Sequence, residues 1–512
     1  MIILFLEQKN GVIFFWNGCF LYLCRKLGSI MTNNLVGRAK EIKELLELYN
    51  SGKAEFVAIY GRRRVGKTFL VDECLKGKIT FRHAGLSPVD KDNHKNNLKN
   101  QLTHFGFSLK LHGMKGVKRP ASWMEAFFML AQYLESKDDG NRQVVFLDEL
   151  PWLDTPRSGF ITAFEGFWNT WACHRDNLML VVCGSANSWM LNNMVNNHGG
   201  LYGRTTYEIK LQPFNLKECE QLFGALNIKM SHYDMVQSYM VMGGIPFYLR
   251  YLRKDKSLAQ NIDALFFAPG ARLRDEYDRL FASVFTAPEE MKRIVELLSR
   301  RSAGYTRKEV IALARLTDSG ATSKMLQALV SSDFVQVYVP FGESKREARF
   351  KLIDHFCLFY IKFVRNRREL DPEFWTHNVV APAINTWRGF AFEQVCLNHI
   401  TQIKSALSIL GVSSTQSQLV IKGDENVQGT QIDLLICRKD NVVSMCEMKF
   451  YNAPFIVSKD YHLKLMHRQN LVIGLLPRHW VVHHVLISAY GVVENEYSND
   501  FQSVITIDDL FR

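Results

Sequence analysis

The feature that most constrains the fold is an eight-residue loop, GRRRVGKT, that lies between an apolar run and a helical pattern. Residues 56–60 (FVAIY) precede the loop and have strand character. In the loop, Gly61, Gly66, Lys67 and Thr68 match the pattern GxxxxGK[ST]. Glycines let backbone N–H groups close around phosphates at a helix N-terminus, the lysine reaches the β- and γ-phosphates, and the threonine ligates Mg²⁺. The loop therefore predicts a strand–loop–helix unit that binds ATP with Mg²⁺.

Two further apolar strands are predicted to end in polar residues. Residues 144–147 (VVFL) run into Asp148 and Glu149, the arrangement called Walker B, in which the aspartate holds Mg²⁺ and the glutamate polarises the attacking water. Residues 178–183 (LMLVVC) run into Gly184 and then Ser185, which is placed to contact the γ-phosphate or the water. The alternative for the acidic pair is a strand with a polar end. Three such strands favour a parallel sheet with its site at the carboxyl edge.

The size and composition of the chain indicate a protein of several globular domains. Its 512 residues exceed what one hydrophobic core usually supports, so we expect three or four domains. Hydrophobic residues make up 47% and charged residues 22%, a balance that excludes low-complexity and collagen-like chains. The ten cysteines form no CxxC pair, which argues against a zinc module or a disulfide scaffold. A reducing, cytoplasmic location is expected.

The positive charge of the chain is unevenly distributed. The formal net charge is +12, and residues 286–368 hold 16 Lys and Arg against 9 Asp and Glu, which is +7 of that total. Such an excess favours an anionic partner, and its concentration favours DNA. The alternative is ordinary solubility charge.

The first thirty residues form an apolar leader that polar residues interrupt. No unbroken run approaches the ~20 residues of a spanning helix, and the charges are misplaced for a signal peptide. We expect the globular protein to begin at Met31 and residues 1–30 to reflect a misassigned start. A membrane anchor is the alternative, but no stable membrane association is expected.

Several segments together resemble the archaeal-type ATPases, a branch of the P-loop NTPases near the AAA and STAND classes. They occur in family order over roughly residues 35–370. The segments are LVGRAKEI (35–42), AIYGRRRVGKT (58–68), FLDELPWL (146–153), CGSANSWM (183–190), LYGRTTYEIKLQPF (201–214) and GGIPFYL (243–249).

This resemblance implies further site residues. Arg204 is similar to an arginine finger or sensor. Because an arginine finger acts on the nucleotide of a neighbouring subunit only within an assembly, this resemblance favours a homo-oligomer. Gly244 and Pro246 resemble the GxP element near the nucleotide base of STAND proteins, and Val36 and Arg38 resemble a segment that packs over adenine.

Each of these roles has a structural alternative. Arg204 could pair with Glu208 on the surface, and residues 244–246 could form only a helix-breaking turn. The loop arginines, residues 62–64, are expected to point away from the phosphates, so we assign them no phosphate contact.

The middle of the chain is predicted to be mainly helical. Residues 215–285 fit a helical lid, and residues 286–368 fit a winged helix-turn-helix made of three short helices and a strand. The third helix would enter the major groove in a DNA-binding version, although winged helices also dock proteins. The side chains expected on that helix are Thr322, Ser323, Lys324 and Gln327.

The last segment contains a predicted β-hairpin with arms IDLLIC and VVSMCEMKF. If the loop is 439–441, paired residue numbers sum to 880, and Asp433 lies opposite Glu447 with Cβ atoms ~5 Å apart. Lys449 shares that face because side chains alternate along a strand. A two-residue loop would shift the register by one and separate the carboxylates.

Two carboxylates and a lysine in this arrangement can hold a divalent metal and orient water toward a phosphodiester. The spacing resembles the PD-(D/E)XK nucleases, with Asp433 and Glu447 as metal ligands, Lys449 completing the site and Glu393 as the helix carboxylate. The proline of that motif is absent, since Ile432 precedes the aspartate. The alternative is an exposed hairpin with salt bridges.

The sequence thus predicts an α/β protein with four domains. They are a P-loop NTPase core with a parallel sheet (31–214), a helical lid (215–285), a winged helix (286–368) and a small α/β restriction-endonuclease-like domain (369–512). The predicted function is an ATP-hydrolysing switch or motor coupled to a DNA-directed, metal-dependent nuclease-like domain. The alternative is a STAND-like regulatory ATPase that binds a protein or DNA partner, with an inactive nuclease-like domain.

Overall fold

A computed structural model of the chain describes residues 35–88, 96–195, 203–285, 287–365, 371–421 and 429–512. The apolar leader predicted at residues 1–30 lies outside this part of the chain. The first domain is built on a parallel sheet of order β2-β3-β4-β1-β5. Its strands are β1 (Glu55–Tyr60), β2 (Ile79–Ala84), β3 (Gln143–Asp148), β4 (Leu178–Gly184) and β5 (Tyr207–Lys210).

Helices cover the two faces of this sheet. Side chains of β1 alternate between the two hydrophobic clusters, with Val57 and Ile59 in one and Phe56 and Ala58 in the other. A strand buried on both faces explains why the sequence is continuously apolar there. The helices are α1 (Ala39–Tyr49), α2 (Lys67–Cys74), α3 (Leu98–Leu111), α4 (Trp123–Ser136), α5 (Phe160–Thr170) and α6 (Asn187–Met190), with short 3₁₀ or π turns at Leu150–Trp152, Ala172–His174 and Leu191–Val195.

The lid follows the sheet and begins at a reciprocal cap. The Asn215 side chain accepts from the Glu218 N–H while the Glu218 carboxylate accepts from the Asn215 N–H, which satisfies two free donors of the first turn. The lid helices are α7 (Leu216–Ala225), α8 (His232–Met242), α9 (Pro246–Leu249), α10 (Leu258–Ile262) and α11 (Glu276–Val284), with a π turn at Asp263–Phe267.

The middle domain, residues 287–365, contains three helices and a three-stranded antiparallel sheet of order β6-β8-β7, followed by a fourth helix. The strand β7 was predicted from the sequence, whereas β6 and β8, two and four residues long, were not. The elements are α12 (Pro288–Leu298), β6 (Tyr305–Thr306), α13 (Arg307–Leu313), α14 (Gly320–Ser331), β7 (Val335–Tyr338), the 3₁₀ turn Lys345–Glu347, β8 (Arg349–Leu352) and α15 (His355–Phe363).

One side chain predicted to face DNA is buried instead. Thr322 is only 2% exposed, and its hydroxyl donates to the carbonyl oxygen of Thr317 at 2.6 Å. It closes the turn before α14 and cannot contact a base. Ser323, Lys324 and Gln327 are exposed on α14.

The C-terminal domain, residues 371–512, is built on a mixed sheet of order β13-β12-β11-β10-β9, in which β11, β12 and β13 are parallel. Its strands are β9 (Ser414–Ile421), β10 (Thr430–Arg438), β11 (Val442–Lys449), β12 (Val481–Ser488) and β13 (Ser503–Thr506). Its helices are α16 (Phe374–Asn378), α17 (Pro382–Asn398), α18 (Ile400–Ala406) and α19 (Lys459–Gly474), with 3₁₀ turns at Ser498–Asp500 and Ile507–Phe511.

The hairpin register agrees with the sequence prediction. Leu434 pairs with Cys446 and Cys437 pairs with Val443, so the numbers sum to 880 and the loop is residues 439–441. Asn441 takes the left-handed conformation, with φ of 65°, that a three-residue hairpin loop needs.

None of the helices in the described ranges combines the length and the hydropathy that a membrane crossing requires.

Candidate nucleotide site

Three strand ends meet at the carboxyl edge of the first sheet. Strands β3, β4 and β1 are neighbours, and the register pairs Tyr60 with Gly184. The loop after Tyr60, the acidic pair after Leu147 and Ser185 therefore lie side by side. The predicted phosphate, metal and water residues are brought together here, as expected for a parallel sheet.

Thr68 and Asp148 form the oxygen-rich corner of the site. The Thr68 hydroxyl donates to Asp148 Oδ2 at 2.8 Å. Burial raises the pKa of Asp148, and the bond from Thr68 partly offsets that effect. A hydroxyl and a carboxylate at this separation are hard oxygen donors of the kind Mg²⁺ prefers, so these two residues fit a metal bound with nucleotide.

The Lys67 side chain is buried against its own loop. Its Nζ donates to the carbonyl oxygen of Gly61 at 2.8 Å and to that of Arg62 at 3.2 Å. Desolvation lowers the pKa of this ammonium group. The charge is thus held at the loop by neutral acceptors, which phosphate oxygens can replace with stronger, charge-assisted bonds.

Glu149 is oriented by Ser185. The Ser185 hydroxyl donates to Glu149 Oε1 at 2.8 Å, and the Ser185 backbone N–H donates to Oε2 at 3.1 Å. Glu149 also has a left-handed backbone, with φ of 46°, which costs a residue with a Cβ free energy. The carboxylate therefore stands beside Asp148 in a defined position, where it can polarise a water.

A small cavity opens beside the phosphate loop. Its volume is about 160 Å³, and Val36, Arg38, Gly66 and Pro246 line it together with Phe214. The Arg38 guanidinium lies 4.6 Å from the centroid of the Phe214 ring. The residues predicted on either side of the base thus share one apolar recess next to the phosphate loop.

Gly244 lies outside the lining of this recess. A Cβ at this position would come within 1.7 Å of the Phe214 carbonyl oxygen. The Phe214 N–H donates to the Gly244 carbonyl at 2.6 Å. The glycine therefore lets the lid backbone touch the end of the core, and Pro246 follows as the first residue of α9.

Arg204 lies at the other edge of the sheet. It precedes β5, whose first residue, Tyr207, pairs with Val57, whereas the phosphate loop leaves β1 after Tyr60. Arg204 thus lies before the amino end of β5, whereas the phosphate loop follows the carboxyl end of β1. The finger and sensor roles of Arg204 both stay predictions. The structural alternative was a surface pair between Arg204 and Glu208. Glu208 Oε1 accepts a hydrogen bond from the Thr205 hydroxyl.

Sequence reasoning missed one polar residue that organises the loop. Asn187, fully buried, accepts from the Gly61 N–H at 2.9 Å and donates to the Ser331 carbonyl oxygen at 2.9 Å. Its place two residues after Ser185 was the available signal. Of the loop arginines, Arg62 and Arg64 bind carboxylates in later parts of the chain. Arg63 instead lies near Glu149 and Lys67, so the expectation that it points away from the site does not hold for this residue.

The C-terminal carboxylates present a different arrangement. Both oxygens of Glu447 are engaged, Oε2 by the Tyr461 hydroxyl at 2.6 Å and Oε1 by Arg468 Nη1 at 2.5 Å. Lys449 lies on the same face, with Nζ 3.7 Å from Glu447 Oε2. Asp433 precedes Leu434, where the pairing of β10 with β11 begins, and it lies at a register shift in the pairing of β10 with β9. Its carboxylate accepts from the Gln431 side chain.

Two further charged groups are buried near these residues. Burial, followed by repulsion from Asp433, raises the pKa of Glu393 on α17 to about 8. Lys351 of β8 is also buried, which lowers its pKa, and it interacts with Asp433 and Glu393. Within the described ranges no set of three or more His, Cys, Asp or Glu side chains is arranged to hold a metal ion.

Comparisons with known proteins agree with the nucleotide site. Residues 35–252 match the family described as an ATPase domain predominantly from Archaea. This part of the chain is therefore similar to archaeal-type ATPase domains. The match starts at the segment that carries Val36 and Arg38 and ends after α9, so it extends into the segment predicted as the lid.

Two curated relatives come from Methanocaldococcus jannaschii. The protein MJECL04 is 26% identical over 380 residues, which is 72% of this chain and 77% of the relative. The ATP-binding protein MJ0423 is 44% identical over 43 residues, which is 8% of this chain and 73% of the relative.

Two solved structures are also similar. The Walker-type ATPase paby2304 of Pyrococcus abyssi is 18% identical, with a TM-score of 0.46 over 64% of this chain and 97% of that chain. The Aeropyrum pernix ORC2 protein, solved as ADPNP-ADP complexes, is 14% identical, with a TM-score of 0.40 over 65% of this chain and 96% of that chain.

Proposed function

We propose that the protein is an ATP-binding and ATP-hydrolysing switch that controls a DNA-directed, nuclease-like C-terminal domain. The observation that carries the proposal is the convergence of Lys67, the Thr68–Asp148 pair and the Ser185–Glu149 pair at one sheet edge. A phosphate, a metal and a water each have residues of the right chemistry there.

The residues divide the chemistry among them. The backbone N–H groups of the loop and the Lys67 ammonium hold the phosphates. Thr68 and Asp148 would hold Mg²⁺, which would neutralise phosphate charge. Glu149, oriented by Ser185, polarises the attacking water. The recess lined by Val36 and Pro246 binds the base.

ATP turnover by the purified full-length protein tests this half of the proposal. Lys67→Ala removes the phosphate ligand and should abolish nucleotide binding, whereas Glu149→Gln should keep binding and reduce turnover by roughly 100-fold or more. An exposed lysine of the same domain, Lys110→Ala, is the control. Turnover at the wild-type rate in both site variants would refute the proposed site.

The nuclease half of the proposal rests on the hairpin. Leu434 pairs with Cys446 in this hairpin, next to Asp433 and Glu447, and Lys449 Nζ lies 3.7 Å from Glu447 Oε2. The regulatory alternative has its own support, because Arg468 and Tyr461 already bind both Glu447 oxygens. As these side chains lie, the carboxylates do not fit a metal, so cleavage requires that Glu447 first be released.

Incubation with supercoiled, linear and branched DNA decides between these two candidates. We expect cleavage with Mg²⁺ or Mn²⁺ that depends on ATP and is lost in Glu447→Ala and in Lys449→Ala. Glu494→Ala, an exposed glutamate of the same domain, should cleave as the wild type does. DNA binding that weakens steeply with salt, without cleavage, would favour the regulatory ATPase.

DNA is the proposed partner of the middle domain. Ser323, Lys324 and Gln327 are exposed on one helix of a region with a charge of +7. Lysine and arginine side chains of such a region bind phosphates, and the polar side chains of the helix are suited to base edges. Arg204, exposed at the far edge of the sheet, is proposed to act on the nucleotide of a neighbouring copy.

A further inference from the structure

The arginines of the phosphate loop bind parts of the chain far away in sequence. Arg62 Nε donates to Asp354 Oδ2 at 2.6 Å, across 292 residues. The guanidinium is 1% exposed and lies 5.2 Å from the centroid of the Phe334 ring. Asp354 also caps α15, since its other oxygen accepts from the Cys357 N–H. A residue of the nucleotide loop is thus fixed to the middle domain by a buried ion pair.

Two more contacts reach the same part of the middle domain. Asn187 links the Gly61 N–H to the carbonyl oxygen of Ser331, the last residue of α14. Lys210, at the end of β5, pairs with Asp333 at 2.6 Å. Residues 331–334 and 354 are therefore docked on the carboxyl edge of the sheet, where the nucleotide site lies.

The lid is held by the same loop. Arg64 donates to both oxygens of Glu276, at 3.0 and 3.2 Å, and the Tyr248 hydroxyl donates to the same carboxylate at 3.0 Å. Two arginines of one loop, Arg62 and Arg64, therefore contact the middle domain and the lid, and each contact starts from a residue next to the phosphate cradle.

The same peptides face Lys67 on their other side. Gly61 donates its N–H to Asn187 and offers its carbonyl to Lys67, while Arg62 offers its carbonyl to Lys67 and its side chain to Asp354. With the middle domain docked, the loop peptides are held where they accept the ammonium group. Phosphate oxygens compete for that ammonium because charge-assisted bonds are the stronger ones.

We propose that Arg62 and Asn187 form a coupling device through which bound nucleotide loosens the docking of the middle domain on the ATPase core. The inference rests on the proposed nucleotide site, and it adds that the middle domain is the part of the protein to which the phosphate loop is coupled. When Lys67 turns to phosphate, the Gly61 and Arg62 peptides lose the acceptor geometry that the docked state stabilises. The Arg62–Asp354 pair and the Asn187 bridge weaken with it.

The interface leaves room for such a movement. A cavity of about 660 Å³ lies against the Arg62–Asp354 pair, between the core, the lid and the middle and C-terminal domains. Arg62 Nη2 and Asp333 Oδ2 are buried without a hydrogen-bond partner among the described residues, and both residues line this cavity. Because these two buried polar atoms lack hydrogen-bond partners in the docked interface, separating it loses less free energy than separating a fully bonded one.

Hydrogen exchange of the full-length wild type, with and without a non-hydrolysable ATP analogue and Mg²⁺, tests the coupling directly. The analogue should speed exchange of the backbone amides of residues 331–334 and 354–358 in the middle domain. A fluorescent nucleotide measures binding in the same samples. If the analogue binds and these amides do not change, the coupling is wrong while the nucleotide site stands; if it does not bind, the proposed function itself fails.

Asp354→Asn provides the reciprocal test. Asparagine still caps α15, so the helix is kept while the ion pair is lost. Because coupling between two equilibria is mutual, release of the middle domain should raise nucleotide affinity, by about 5-fold or more. Asp255→Asn, which removes an exposed ion pair with Arg253, should leave affinity unchanged. An unchanged or lowered affinity in Asp354→Asn would overturn the proposal.

Discussion

Single hydroxyl groups set the positions of the two acidic side chains in the nucleotide site. Thr68 donates to Asp148, and Ser185 donates to Glu149, both at 2.8 Å. Thr68 lies in the first turn of α2 and Ser185 follows β4, so the two carboxylates are held by separate parts of the fold. The neighbouring carboxylates are thereby kept in different environments and can take different roles.

The first prediction concerns the hydroxyl of Thr68. Thr68→Val keeps the shape of the side chain but removes the oxygen that bonds Asp148 and that we propose as a ligand of Mg²⁺. A hydrogen bond to a charged group contributes about 1.5–3 kcal/mol, which corresponds to roughly a 10- to 100-fold loss of turnover. Turnover measured over a range of Mg²⁺ concentrations should show this loss.

Thr68→Ser and Thr170→Val are the matched controls for this experiment. Thr68→Ser retains the hydroxyl and should retain activity. Thr170 bonds only the Gly166 carbonyl oxygen on α5, so its substitution by valine should not alter turnover. Wild-type Mg²⁺ dependence in Thr68→Val would contradict the metal assignment.

At the scale of elements, the junction between the core and the lid depends on one close backbone approach. The Phe214 N–H reaches the Gly244 carbonyl at 2.6 Å, while α7 starts one turn away at Leu216. Two stretches of chain that are 30 residues apart are thus joined without an intervening side chain. This contact positions Pro246 in the recess beside the phosphate loop.

The second prediction is that Gly244→Ala destabilises this junction. Its Cβ would meet the Phe214 carbonyl oxygen at 1.7 Å, so the backbones must separate and the hydrogen bond must lengthen. We expect a loss of roughly 2 kcal/mol or more, seen as a lower Tm and weaker nucleotide binding. Gly224→Ala, with open space in α7, should instead raise stability by about 0.5–1 kcal/mol. Equal effects of the two substitutions would contradict the packing described.

For the whole molecule, one histidine joins the lid to the C-terminal domain. His399, fully buried at the end of α17, accepts the Leu216 N–H at Nε2, 2.9 Å away, and its Nδ1 donates to Val395. Both ring nitrogens are used by the neutral form. Desolvation lowers the pKa of His399 to about 4, against 6.5 for the ordinary group.

The third prediction concerns the pH dependence of stability. Below pH 6.5 His399 takes up a proton in the unfolded chain but stays neutral in the folded protein. The free energy of unfolding therefore decreases as the pH falls from 6.5 toward 4. By pH 5 the loss from this residue is about 2 kcal/mol. His399→Gln keeps an acceptor but cannot titrate, so its Tm should fall less than that of the wild type between pH 7 and 5. His355, whose pKa burial also lowers to about 4, supplies a similar loss in both proteins.

Exposed His174→Gln serves as the control for this measurement, and its Tm profile should follow the wild type. Parallel pH profiles for His399→Gln and the wild type would show that His399 does not carry the effect.

Local patterns in the sequence determined the parts of the site that follow from strand order and chain direction. An apolar run followed by GRRRVGKT specifies a strand, a loop and a helix, and parallel strands bring Asp148 and Ser185 to the same edge. Likewise, the loop of residues 439–441 set the hairpin register, because strand side chains alternate with a period of two. Such features depend on neighbours a few residues apart or on one rule of topology.

Only the tertiary structure decided the contacts between distant segments. Nothing local distinguishes Asp354 as the partner of Arg62, or Arg468 as the residue that engages Glu447. Thr322 is buried and Arg204 lies at the far edge because of how helices and strands stack, which the periodicity of a single segment does not encode. Contacts between distant segments result from the packing of the whole chain. The residues of the nucleotide loop could therefore be predicted from the sequence, but their partners could not.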